Sequence, residues 1–157
     1  MVARPKEHLL MQPFTKYEIF KAAYDRVNLY KEKKDFLAAH VLSFSILEDR
    51  VTAAYVVVYR LMNREDPPKY ESLGKLRFKD LLDLLLRMGV LKIDLHQRLL
   101  NAAYKRNELL HEMMWRLNAF NSKNVDEIRS LIIEVEKMTR NYVKLHGTKK
   151  DLSDLAE

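Results

Sequence analysis

The chain has 157 residues, 48% hydrophobic and 32% charged, a balance that builds one buried core and excludes a disordered protein. Without a single cysteine it has no disulfide, no thiolate-bound zinc and no cysteine nucleophile. A formal charge of +6 favours approach to a polyanion. No signal-peptide pattern opens the chain and no apolar run is long enough to span a bilayer, so a cytoplasmic protein with no membrane partner is expected.

Three glycines and four prolines, set among long runs of Leu, Ala, Lys, Glu and Arg, predict helices throughout. Residues 1–14 read as an irregular segment broken by Pro5 and Pro13. Thr15 and Glu18 then form a T-x-x-E capping box, with Phe14 and Ile19 as its hydrophobic staple. The first helix runs to about residue 33 and carries Phe20, Tyr24, Val27 and Tyr30 or Lys31 on one stripe. Asp35 caps a second helix to about residue 63, where Leu37, Val41, Phe44, Leu47, Val51, Ala54 and Val58 repeat at steps of four and three. Residues 53–59 are apolar on every face, which alone would also suit a buried strand; continuity with the upstream stripe favours helix.

Arg64-Glu65-Asp66-Pro67-Pro68 marks a break. A short helix follows over residues 78–88, with Leu81, Leu82, Leu85 and Leu86 apolar and Gly89 placed to end it. Asp94 with Gln97 signals a helix to about residue 117, and Asn124 with Glu127 a last one to about residue 146. Residues 147–157 form a polar tail. Four long helices and one short one predict an all-α, antiparallel up-and-down bundle over residues 15–146, with no internal repeat and no second domain.

One helix breaks its own pattern. Its stripe reads Leu95, Leu99, Ala102, Arg106, Leu109, Met113 and Leu117, carrying the apolar face straight through an arginine. A guanidinium is not deprotonated and is not buried alone, so Arg106 needs a carboxylate, a cleft or a partner. Asn107 and His111 are four apart, hence neighbours on the helix surface. Arg106 and His111 are separated by about 7.5 Å along the axis and about 140° around it, a gap that a flexible arginine largely closes.

These side chains suit RNA cleavage without a metal. RNA supplies its own nucleophile, the 2′-hydroxyl. An imidazole titrates in the range a general base needs, and arginine stabilises charge building on phosphoryl oxygens. Asn107 would orient the imidazole or hold a phosphate oxygen, and the products would be a 2′,3′-cyclic phosphate and a 5′-hydroxyl. No metal or cofactor is expected: His8, His40, His96 and His146 fall in four segments without ligand spacing, and Trp115 stands where H-E-x-x-H would need its second histidine.

Blander readings stand beside this one. Arg106 would snorkel from the stripe's edge to pair with Glu48, and His111 would be a surface histidine. Glu108 and Glu112 read as a solvated face, and Lys31 to Lys34 as a solvated helix end. Tyr55, Tyr59, Tyr104 and Trp115 could stack on bases but read first as core aromatics.

The sequence Arg106-Asn107-x-x-x-His111, late in a helical chain, resembles the signature of the HEPN domain family. The leucine-rich short helix with Gly89 resembles the element that precedes the motif helix there. Ser43-x-x-x-Leu47-Glu48 resembles the second-helix stretch where many members carry an acidic residue. The resemblance spans residues 15–146, while only Arg106, Asn107 and His111 match a defined motif. It implies a homodimer that joins two motif helices around one cleft and a metal-independent ribonuclease acting as a toxin or defence effector. It also implies, in some members, pairing with a nucleotidyltransferase-like antitoxin. Some members are non-catalytic, which leaves an interaction or RNA-binding module as the alternative function.

Overall fold

The computed structural model describes residues 16–65, 76–113, 115–116 and 119–148. Among them it is all-helical: α1 (Lys16–Glu32), α2 (Phe36–Asn63), α3 (Phe78–Arg87), α4 (Ile93–Met113) and α5 (Ser122–His146), with no strand. Residues 53–59 therefore continue α2 as helix. No helix of the described residues is long and apolar enough to cross a membrane.

Local chemistry fixes the helix ends. The Asp35 carboxylate accepts from the Ala38 N–H at 3.1 Å and caps α2 as expected. Gly89 closes α3 in the left-handed conformation (φ +72°), with its N–H bonded to the Leu86 carbonyl and the Val90 N–H to that of Leu85. These two bonds make a Schellman motif. The α1–α2 corner repeats it: Lys34 N–H reaches Lys31 O, and Asp35 N–H reaches Tyr30 O. Here a lysine occupies the left-handed position (φ 58°), a conformation that strains any residue with a Cβ.

Other boundaries differ from the sequence expectation. α5 starts earlier, because Asn121 is the cap: its side chain accepts from Asn124 N–H, and the Asn124 side chain accepts from Asn121 N–H in return. Asn124 thus holds the third position of the capping box rather than its first. Asp94 lies inside the first turn of α4, where its charge suits the helix N-terminus. α4 ends at Met113 rather than near residue 117, and the Trp115 and Arg116 N–H groups both turn back to the Glu112 carbonyl. Phe14, Thr15, Asp66, Pro67, Pro68 and the tail from residue 149 lie outside the described residues.

α2 is the hub, packing on α1, α3 and α5, while α3 packs on α4. Phe44, Leu47, Val51, Ala54 and Val58 of α2 are buried with Leu82 and Leu85 of α3, Leu99 of α4 and Val125, Ile132 and Val135 of α5. Val41, expected in the core, is 43% exposed. The buried arc of α2 runs through His40, Ser43, Phe44 and Leu47, and Val41 sits about 60° beyond Phe44. Two of those inward positions are polar, which is why an apolar stripe traced from the sequence drifted off the true face.

Polar contacts tie the flanks. Lys31 of α1 pairs with Asp126 of α5 at 2.6 Å, so it is not simply a solvated helix end. Arg98 of α4 makes a bidentate pair with Glu134, and Lys105 pairs with Glu127 at 2.9 Å, both on α5. His96 of α4 meets Asp83 of α3 at 2.8 Å.

Replacing Lys34 with glycine is expected to stabilise the fold by about 0.5–1 kcal/mol, because the left-handed position loses its Cβ strain. Asn121→Ala should destabilise it by about 1 kcal/mol through loss of the cap. Urea denaturation midpoints at constant m-value check both.

Candidate functional site

The rotation of α4 decides which way each motif residue faces. Leu99 is fully buried and Ala102 half-buried, and one further step along that row brings Arg106 against α2. There His40, Phe44 and Glu48, four apart, form a row along one face of α2. The Arg106 Nη1 donates to Glu48 Oε1 at 3.3 Å, and the guanidinium carbon lies 4.1 Å from the centre of the Phe44 ring. Phe44 in turn packs on Phe78 of α3, ring centres 5.4 Å apart.

This contact sits at the rim of the core. The Arg106 and Glu48 side chains keep 28% and 41% of their exposure, so the ion pair contributes only about 0–1 kcal/mol. The ring face beneath the cation adds about 0.5–2 kcal/mol. The long N–O distance marks a loosely held pair.

Asn107 contacts its neighbour Arg106 directly. Its Oδ1 accepts from Arg106 Nε at 3.3 Å, which assigns the oxygen to the arginine side and leaves the amide Nδ2 as a donor. Asn107 also lines an open surface hollow with Tyr104, Glu108, His111 and Glu112. All five belong to one face of α4, at spacings of three, four, seven and eight. The structure thus brings Arg106, Asn107 and Glu48 together, and gives Asn107 and His111 a shared hollow. Arg106 does not line it, so the cation and the imidazole flank Asn107 from different sides.

His40 and Phe44 escaped the sequence reading as site residues. Their signal was their place four and eight residues before Glu48, hidden because Phe44 also fits a core stripe. His40 is 2% exposed and packs on Phe120, ring centres 5.0 Å apart, and neither ring nitrogen finds a hydrogen-bond partner among the described residues. Burial, then the nearby Arg106 and Lys105 charges, push its pKa down to about 4; the Asn124 backbone, close to the ring but outside hydrogen-bond geometry, and Glu127 act the other way.

The aromatic expectation divides. Tyr55 is buried and Tyr59 partly so, as core residues should be. Tyr104 is 55% exposed and Trp115 87% exposed, so neither belongs to the core. Glu108 and Glu112 are exposed, as expected of a solvated face. Among the described residues no three His, Asp or Glu side chains converge to hold a metal ion.

No protein-family model, curated protein or solved structure matches this chain.

The buried, neutral His40 makes stability fall on acidification. The unfolded histidine takes up its proton near pH 6.5 and the folded one only near 4, so between these values the unfolded state binds more protons and stability rises with pH. The loss from pH 6.5 to 4 amounts to at most about 3 kcal/mol from this group. A His40→Leu variant should flatten that limb of the stability–pH curve, measured by denaturant titration at stepped pH. An unchanged slope would show that His40 protonates as readily folded as unfolded.

Proposed function

We propose that this protein is a metal-independent endoribonuclease of HEPN type, built from Arg106, Asn107 and His111 with Glu48 in support. The observation that carries the reading is Asn107, which hydrogen-bonds Arg106 and lines an open hollow with His111.

In the mechanism, His111 removes the proton of the ribose 2′-hydroxyl as that oxygen attacks the adjacent phosphorus. The bond to the 5′-oxygen breaks, and that oxygen takes a proton from an imidazolium, that of His111 or of its counterpart on a second motif helix, or from water, leaving a 2′,3′-cyclic phosphate and a 5′-hydroxyl. Arg106 stabilises the charge that gathers on the phosphoryl oxygens. Its bonds to Glu48 and Asn107 are both long, 3.3 Å, and occupy only part of the guanidinium fork. The phosphate takes the remaining donors while the Phe44 ring holds the cation's plane. The Asn107 Nδ2 group orients the imidazole or holds a phosphate oxygen.

The two functional heads flank Asn107 from different sides, which favours a homodimer in which a second motif helix completes the cleft. The antiparallel HEPN-like bundle draws support from the ion pairs Arg98–Glu134 and Lys105–Glu127, in which numbering rises along α4 as it falls along α5. A cytoplasmic toxin or defence effector held by a nucleotidyltransferase-like antitoxin is the biology that accompanies this chemistry. The second reading, a non-catalytic helical interaction or RNA-binding module, is favoured by the Glu48 and Phe44 contacts, which give Arg106 a structural task linking α4 to α2.

His111→Ala should lower RNA cleavage in chelator about a hundredfold or more while leaving the melting temperature unchanged, because the side chain is exposed. Arg106→Lys should also fall steeply, since an ammonium lacks the planar fork. Fragment ends read by mass spectrometry must carry the cyclic phosphate. Wild-type protein that leaves RNA intact in chelator, at every concentration up to complete binding, favours the non-catalytic module.

A further inference from the structure

We infer that the solvent face of α5 docks the sugar–phosphate backbone of RNA outside the cut site, through Lys123, Lys137, Arg140 and Lys144. This rests on the reading of RNA as the partner, and adds a second surface on a helix that carries no motif residue.

Charge pairing on α5 is one-sided. The helix holds four carboxylates, Asp126, Glu127, Glu134 and Glu136, and five cations, Lys123, Arg129, Lys137, Arg140 and Lys144. Three of the carboxylates are taken by other helices: Asp126 by Lys31 of α1, Glu127 by Lys105 and Glu134 by Arg98 of α4. Glu136 is partly buried beside Tyr24 of α1, where burial and then this carboxylate raise the pKa of the phenol. Arg129 flanks the same tyrosine, 5.9 Å from its ring centre. All five cations are exposed, and none makes an ion pair among the described residues. An ordinary solvated face mixes both signs. Here the carboxylates are drawn to the flanks and one sign is left outside.

Helix geometry gathers that charge into a row. Lys137, Arg140 and Lys144 are three and four apart and share a face, and Lys123 lies within about 40° of Lys137. Between Lys123 and Lys144 this face offers one large exposed apolar side chain, Ile133. A protein partner needs an apolar centre to its interface, whereas a row of cations on a polar ground fits a chain that carries one negative charge per nucleotide. The register with α4 aims the row at the motif. Lys105 pairs with Glu127 and Arg98 with Glu134, so a step forward along α4 meets a step back along α5. Lys123, one turn before Glu127, is therefore level with Leu109, which stands between Arg106 and His111. From there the row runs about 21 Å to Lys137 and about 31 Å to Lys144. RNA with a phosphate at Arg106 continues along α5, where contacts add affinity without touching the reacting atoms.

The test removes three charges far from the motif at once, Lys137→Gln, Arg140→Gln and Lys144→Gln. All three side chains are exposed, so the melting temperature should hold. A control variant, Lys33→Gln with Lys79→Gln and Lys92→Gln, removes equal charge from exposed positions elsewhere. Anisotropy of a labelled, unstructured RNA of about thirty nucleotides is followed at stepped salt, in the His111→Ala background that leaves RNA whole. The slope of log Kd against log salt should fall by about 2 in the α5 variant alone, near 0.7 for each lost phosphate contact. A trinucleotide, about 10 Å long at the stacked spacing, does not reach Lys137 from the cleft, and its binding should not change. With His111 restored, the α5 substitutions should raise KM for the long strand at unchanged kcat. A slope equal to that of the parent protein, or lowered as much by the control, overturns the dock and spares the ribonuclease. A slope lost on α5 with no wild-type cleavage in chelator keeps the dock and overturns the ribonuclease. Sedimentation with phosphatidylserine vesicles that the α5 variant loses, with the RNA slope unchanged, assigns the row to a membrane and overturns the inference.

Discussion

A charge that is never surrendered sits where α4 meets α2, and much of the local structure answers to it. The Arg106 guanidinium lies on the helix row that Leu99 and Ala102 lead into the core, so its environment has to compensate it. A carboxylate from Glu48, the face of Phe44 and the amide oxygen of Asn107 do so, each from a different direction. None of these contacts is strong alone, and the pair remains partly wet. The result is a cation held in orientation without being locked away.

The same rotation of α4 sets the properties of its two sides. Inward, Arg106 brings positive charge toward His40, which packs on Phe120 and stays neutral. On its flanks, His96 holds Asp83 of α3, while Arg98 and Lys105 hold α5. With those sides engaged, Tyr104, Asn107, Glu108, His111 and Glu112 are turned outward together. A site that would act on a large polymer needs such an arrangement: a fixed back and an open front.

The helix ends maintain that arrangement. Schellman closures end α1 at the α1–α2 corner and end α3, and the Asn121–Asn124 box starts α5. Tolerating Lys34 in a left-handed conformation costs some stability. The corner it closes puts Tyr24 and Val27 of α1 against α2 and leads Lys31 to Asp126. Sharp corners keep α2 central, and a central α2 presents the row from His40 to Glu48 to the motif helix.

Much of this was determined by the sequence alone. Few glycines and helix-period apolar steps make an all-helical chain, Asp35 and Gly89 mark ends by local hydrogen-bond geometry, and an arginine on an apolar stripe announces that a partner must exist. These are short-range facts, settled within one or two turns. Only the tertiary structure decided which face of α2 is buried, because polar His40 and Ser43 lie on it and Val41 does not. It also added the Phe44 ring, sixty-two residues before Arg106, to the Glu48 carboxylate that the sequence reading had named as a partner. And it left Tyr104 and Trp115 in water, although a tyrosine or tryptophan on a helix reads as core from its composition alone. Helical pitch and capping are written locally in the chain, whereas burial and charge compensation depend on which helices meet and at what rotation.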